Sequence, residues 1–269
     1  MKNLFLFLFL LVVFTSKAQD NRVSGLNSRQ FTKYWKVESE SPDYKVTFQG
    51  DTAEIVSPKG LTLWRKEKMS GKVTIEYDAC VVVESDGDRL SDLNCFWMAS
   101  DPQYPDNLWK REKWRSGIFL NCYSLQLYYL GYGGNHNSTT RFRRYDGDES
   151  GITNPKARPA ILKEYTDAGH LLKPNHWYHI KITNENNRVS YYIDGERLVD
   201  FRDAEPLREG WFGFRTTLSR TRITNFSYEC SSQEATAVPL QWIGETPRQD
   251  KVVSFGVPFD KGEVFPETS

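Results

Sequence analysis

The chain of 269 residues lacks net charge: 35 basic residues balance 35 acidic ones. A partner held by bulk charge, nucleic acid above all, is therefore not expected. Cysteine is scarce, with Cys80, Cys95, Cys122 and Cys230 alone, and no Cys-x-x-Cys or His-rich spacing marks a structural zinc. Cys80, Cys95 and Cys122 fall inside apolar runs, so buried free thiols are expected in preference to disulfides. Helical periodicity is nearly absent. No Ser-His-Asp arrangement is legible, and no phosphate-cradling Gly-rich loop precedes a helix.

Long apolar runs are missing too, with one exception. Residues 4–14 are apolar throughout, follow a positive Lys2, and lead to Thr15-Ser16-Lys17-Ala18 with small residues suited to a cut after Ala18. That run falls short of the roughly 20 residues that cross a bilayer. Residues 1–18 read as a cleavable secretory signal. No cysteine follows to suggest a lipoprotein. The expectation is an exported protein, periplasmic or extracellular, with no membrane span.

What the chain has in quantity is aromatic: eight tryptophans, 14 tyrosines and 16 phenylalanines. Short alternating or apolar runs recur between Gly, Pro, Asn and Asp. They predict strands at 45–48, 53–56, 62–65, 73–83, 94–99, 118–123, 125–130, 140–145, 177–183, 188–193, 197–201, 210–216 and 223–228. The fold expected over residues 30–230 is all-β, a two-sheet antiparallel jelly-roll sandwich with a concave face. Two segments interrupt the pattern. Residues 100–116, carrying Trp109 and Trp114, read as a long loop at the rim of a cleft; residues 146–170 read as a lid or a crossover. Residues 231–269 read as a linker and tail, which either adds a strand or is the stub of a further domain.

Residues 125–145 are the densest in chemistry. They read as two strands joined by a Gly-Gly-Asn turn and hold four tyrosines, the triplet Asn135-His136-Asn137 and three arginines. Alternation places Arg141, Arg143 and Tyr145 on one face, Phe142 and Arg144 on the other. Two arginines on one strand face suit an acidic sugar, because guanidinium forks pair with carboxylates and aromatic rings stack on sugar faces. Asn135, Arg141 and Arg143, with Trp109 and Trp114, are the candidate binding residues. The partner expected is an acidic oligo- or polysaccharide.

The groups for β-elimination are also present. His136 would take the proton, Tyr132 and Tyr145 would donate or relay one, and Asn135 with the arginines would neutralise the uronate carboxylate. A retaining glycoside hydrolase instead needs two carboxylates about 5 Å apart. The Glu-x-Asp-x-x-Glu spacing that supplies them is absent. The densest acidic cluster, Glu84-Ser85-Asp86-Gly87-Asp88, lies in a turn. No cofactor is expected, and the one candidate cation is calcium at Asp86 and Asp88. Three readings stand: a sugar-binding module, a polysaccharide lyase and a glycoside hydrolase.

Three pieces carry a resemblance. They are Gly60 to Trp64 with Ser70 to Tyr77, Trp177 to Ile182 running into Val189 to Gly195, and Gly210 to Thr216 ending in Asn225-Phe226. Together they resemble the concanavalin-A-like lectin/glucanase superfamily. Ser91 to Pro102 and Gly134 to Tyr145 resemble, more narrowly, a family of secreted Bacteroidota jelly-roll proteins of unknown function. That family is similar to one from rhamnogalacturonan-utilisation systems. The phrase Gly256 to Gly262 resembles the opening of a separate domain in rhamnogalacturonan-lyase-like proteins. The resemblance implies plant-polysaccharide processing and names no reaction.

Overall fold

The computed structural model describes residues 22–231. The expected signal segment and almost all of the C-terminal tail lie outside the described residues. Within them the chain forms β1 (Val23–Ser24), β2 (Trp35–Ser39), β3 (Lys45–Gln49), β4 (Thr52–Arg65), β5 (Met69–Ser70), β6 (Lys72–Val81) and β7 (Leu93–Ser100). There follow β8 (Gln126–Gly133), β9 (Thr139–Asp146), β10 (Lys163–Tyr165), β11 (Tyr178–Glu185), β12 (Arg188–Ile193), β13 (Glu196–Arg202) and β14 (Glu209–Ser231). No described helix exceeds five residues.

Every pairing is antiparallel, and the strands form two packed sheets. The front sheet runs β10-β9-β8-β7-β14-β4-β2; the back sheet runs β3-β4-β14-β6-β11-β12-β13. β4 and β14 belong to both. The first half of β14 lies between β7 and the end of β4, and its second half lies between the start of β4 and β6. Sequence reasoning split each of these strands in two, at 53–56 with 62–65 and at 210–216 with 223–228. The interruptions are bends where the register slips, between Thr217 and Ser219. The jelly-roll sandwich is the observed architecture.

The core between the sheets explains the alternation. Phe142, Trp97, Tyr128 and Phe212 from the front sheet meet Ile75, Ile180, Ile182 and Tyr191 from the back sheet. β11 alternates buried and exposed because its other face meets solvent. β7, the second half of β4 and most of β8 are buried on both faces. Something must therefore cover the outside of the front sheet, and it does so along only part of its area.

Arg144 works between the sheets. Its Nε donates to Asp203 at 2.7 Å, and Tyr128 Oη donates to the same carboxylate at 2.6 Å. Desolvation pushes Asp203 up, but the bonds from Tyr128, the Glu205 backbone and Arg144 outweigh it and hold the carboxyl below the usual range. Hydrogen bonds from Arg220 lower Glu54 in the same direction. Between the folded and unfolded values the unfolded chain binds more protons. The stability these groups add at neutral pH is thus lost as pH falls through their folded values. Melting temperature should hold steady at neutral pH and drop below about pH 4. Asp203→Asn should flatten that acid limb; an unchanged limb would show that Asp203 takes no part.

Candidate functional site

The cover on the front sheet is built from residues 101–124. Asn107 caps a short helical turn at Leu108–Arg111, Asp101 takes both Arg111 Nε (2.7 Å) and Nη2 (2.9 Å), and Arg115 reaches back to Glu38 on β2 at 3.0 Å. Residues 118–123, read from sequence as a strand, run instead into the 3₁₀ turn Leu120–Ser124. Cys122 and Tyr123 are buried against the sheet, whereas Ile118 is exposed. Leu108, Cys122, Tyr123 and Leu125 form a second core with Trp64, Phe96, Tyr145 and Trp211. Apolar content without strand pairing produced the misreading.

Where the cover stops, a cleft of about 480 Å³ opens on the sheet face. Strand register lays out its floor in rows. One row runs Glu38, Thr62, Arg215, Asn94, Gly131, Arg141, Glu164, each residue directly opposite the next. The adjacent row runs Lys36, Trp64, Gly213, Phe96, Tyr129, Arg143. With strands about 4.8 Å apart and same-face residues about 7 Å apart along a strand, Arg215, Asn94, Gly131 and Arg141 of the polar row form the cleft floor, and Tyr129 and Arg143 of the adjacent row its side. Gly131 leaves a gap in the polar row. A Cβ there would lie 2.3 Å from the Tyr129 hydroxyl, so the ring of Tyr129 leans over the space a side chain would take.

Arg141 and Arg143 both line this cleft, as the alternation requires. Arg141 is paired with Glu164 at 2.5 Å. Arg143 donates to the carbonyl of Pro159, and among the described residues it has no ion-pair partner. Arg158 stands over the Tyr123 ring at 6.0 Å and likewise forms no ion pair there. At the other end, Arg89 binds Asp92 at 2.6 Å, and Arg215 donates to the Gly117 carbonyl at 2.5 Å.

Asn135 and His136 close the cleft at the β8–β9 turn. Asn135, His136 and Asn137 all have left-handed backbones, with φ of 52°, 58° and 58°. Two asparagines in three suit that run, since Asn tolerates the region best. Asn137 anchors the turn: its Nδ2 donates to the Leu172 carbonyl at 2.9 Å and its Oδ1 accepts the Leu172 N–H at 2.8 Å. Asn135 Nδ2 donates to Thr139 at 3.1 Å, and the His136 ring is exposed at the cleft edge.

Four of the sequence candidates lie elsewhere. Tyr145 is fully buried beneath the cover, with its ring against Tyr123 and Tyr129. Tyr132 faces the inter-sheet core and lines a separate cavity of about 140 Å³ with His170, His176 and Tyr178. Alternation accounts for Tyr132: it lies three residues from Tyr129, on the opposite face. Burial pushes both phenols far above their usual range. Trp109 packs edge-on against Trp211, and Trp114 is exposed beneath Arg111; neither lines the cleft. The rim aromatics are Phe119 and Tyr123 instead.

Asp88 accepts the N–H groups of Glu84 and Ser85, closing the acidic turn with its own backbone. Among the described residues no three His, Cys, Asp or Glu side chains are grouped to hold a metal ion. All four cysteines are free thiols, and Cys80, Cys95 and Cys122 are buried. Sequence reasoning missed Arg215, Asn94 and Asp92. Their signal was polar residues within, or for Asp92 just before, runs otherwise committed to a buried strand.

This architecture defines a concanavalin-A-like, galectin-type jelly roll with a cleft on one sheet. The chain belongs to the family described as Domain of unknown function (DUF6250), whose model matches residues 55–226. Among solved structures, a Bacillus subtilis protein of unknown function with a galectin-like fold is 15% identical. It superposes with a TM-score of 0.61, covering 78% of this chain and 94% of its own. The exoplasmic/lumenal domain of VIP36, bound to Ca²⁺ and Man3GlcNAc, is 9% identical with a TM-score of 0.53 over 81% of this chain and 91% of its own. The carbohydrate recognition domain of Emp46p, in a metal-free form, is 12% identical with a TM-score of 0.51 over 78% and 94%. At these identities the likeness is one of fold. No curated protein matches the chain.

Proposed function

We propose that this is an exported carbohydrate-binding protein whose front-sheet cleft takes an acidic plant polysaccharide of the rhamnogalacturonan type. The observation that carries the reading is Arg143. It is a guanidinium at the cleft side, opposite Tyr129 in the register, with a backbone carbonyl but no described carboxylate for a partner. A sugar carboxylate supplies the missing charge through a bidentate bond. Residues 1–18 support export, and the lectin-like fold suits a sugar ligand.

Elimination is the second reading, because His136, Asn135 and Arg143 line one cleft. Against it, Tyr132 and Tyr145 are absent from that cleft; the Tyr129 phenol that lines it is kept protonated by burial, which rules it out as the base and leaves His136 alone in that role. Hydrolysis has less support: of the cleft carboxylates, Asp92 is tied to Arg89, Ser91 and Asn94.

The test is calorimetric titration with a uronate oligosaccharide and with its carboxyl-reduced counterpart, alongside ultraviolet absorbance on incubation. Binding should favour the acidic form by at least about tenfold, and absorbance should stay flat. Equal affinity for the two would sink the acidic-ligand reading. His136→Ala should leave affinity within about threefold, since an exposed imidazole contributes little to binding. A rising absorbance that His136→Ala abolishes would hand the site to the lyase.

A further inference from the structure

We propose that the cleft is divided into two subsites. In one, Asn94 and Arg215 read the hydroxyls of an uncharged sugar unit seated against the Tyr129 ring. In the other, Arg143 and Arg158 hold the carboxylate of its acidic neighbour. The proposal rests on the carbohydrate reading and adds what kind of chain the cleft selects.

Asn94 supplies the first observation. It is only 7% exposed and lines the cleft. Its Nδ2 donates to Asp92 Oδ1 at 3.2 Å. An ionised carboxylate only accepts, so the amide orientation is fixed and Oδ1 must face away from Asp92. That oxygen is buried and has no hydrogen-bond partner. An orphaned buried acceptor is costly in a folded protein and marks a position completed by something from outside. What completes it must be a donor, which a sugar hydroxyl is and a carboxylate is not.

Arg215 supplies the second. Directly opposite Asn94 in the register and 3% exposed, it sends Nη1 to the Gly117 carbonyl and Thr62 Oγ1. A donor thus stands beside an acceptor on adjacent strands, with the Tyr129 hydroxyl leaning over Gly131 on the far side of Asn94. A donor, an acceptor and an aromatic ring set side by side match a sugar ring that bears hydroxyls.

Charge supplies the third. Around Asn94, Arg89 is neutralised by Asp92, and Arg215 faces the same end of the cleft as Glu40. Two positive groups meet two negative ones. Around Arg143 the count differs, because Glu164 offsets Arg141 while Arg143 and Arg158 form no ion pair among the described residues. One end is neutral and rich in acceptors; the other is cationic. The strands carrying Arg143 and Arg215 are three spacings apart, about 14 Å, too far for a single ring to bridge.

The test titrates the whole chain with two tetrasaccharides, one of uronate units only and one alternating uronate with a neutral sugar. The wild type should bind the alternating one about tenfold more tightly. Asn94→Ala should erase that preference by weakening the alternating ligand alone, while Arg143→Ala should weaken both. Equal wild-type affinities, or an Asn94→Ala variant that retains the preference, would overturn the subsite division and leave the acidic-sugar reading standing. The wild-type comparison decides the matter even if Asn94→Ala fails to fold. Binding of neither probe would overturn the carbohydrate reading, and this proposal with it.

Discussion

Replacing Arg115 with alanine should destabilise the protein by about 3–5 kcal/mol, the range for breaking a buried ion pair from one side. Arg115 is 0% exposed and Glu38 5% exposed, and no water can take over the carboxylate's lost partner. The same guanidinium donates to the Leu108 carbonyl at 2.6 Å, so the cover over the front sheet loses its main tie to β2. Burial pushes the Glu38 carboxyl up, and Arg115 pulls it part of the way back. Without Arg115 that carboxyl rises further, and the folded variant holds a proton that its unfolded chain releases. The variant should therefore regain stability as pH falls and lose it as pH rises through the raised value, opposite in sign to Asp203. Denaturant unfolding at a series of pH values checks both points. Pairing Arg115→Met with Glu38→Gln should recover most of the loss. A single-variant cost below about 1 kcal/mol would show that the pair does not hold the cover.

Arg143→Ala should weaken binding of a uronate oligosaccharide by about ten- to a hundredfold, corresponding to the roughly 1.5–3 kcal/mol of a charge-assisted bond. Arg143→Lys keeps the charge without the fork and should recover only part of the loss. Arg141→Ala should cost less, because Glu164 already occupies that guanidinium. Titration of the three variants with the acidic and the carboxyl-reduced ligand separates charge from shape. If Arg141→Ala is the damaging change, the ligand displaces Glu164 and the cationic end has been placed one row off.

The sandwich and the face carrying Arg141 and Arg143 were legible because both follow from period-two alternation, which is local. The same rule, applied to β8, separates Tyr132 from the cleft that Tyr129 lines; grouping tyrosines by proximity in sequence concealed this. Tyr145 shares the face of Arg143 but lies one row farther on, under the cover. Which rows a loop covers is set by the pairs Arg115–Glu38 and Arg111–Glu149, whose members lie tens of residues apart. No local pattern encodes that. Trp109 and Trp114 failed as rim residues for the same reason: a loop tryptophan packs wherever the cover descends, here against Trp211. Arg215 and Asn94 become neighbours only through the pairing of β7 with β14.

Strand β14 is the last of the described strands, and it is the seam of both sheets. It pairs with β7 and β4 in one, with β4 and β6 in the other, and with β1 at Val23 and Tyr228. Neither sheet closes until residues 209–231 arrive. A chain of this topology cannot settle into its native form while it is still being made, and long-range pairing of this kind is slow. Delay of that sort keeps a polypeptide threadable. If residues 1–18 export the chain as proposed, the wiring of the last described strand would hold it open through passage and let it lock on the far side.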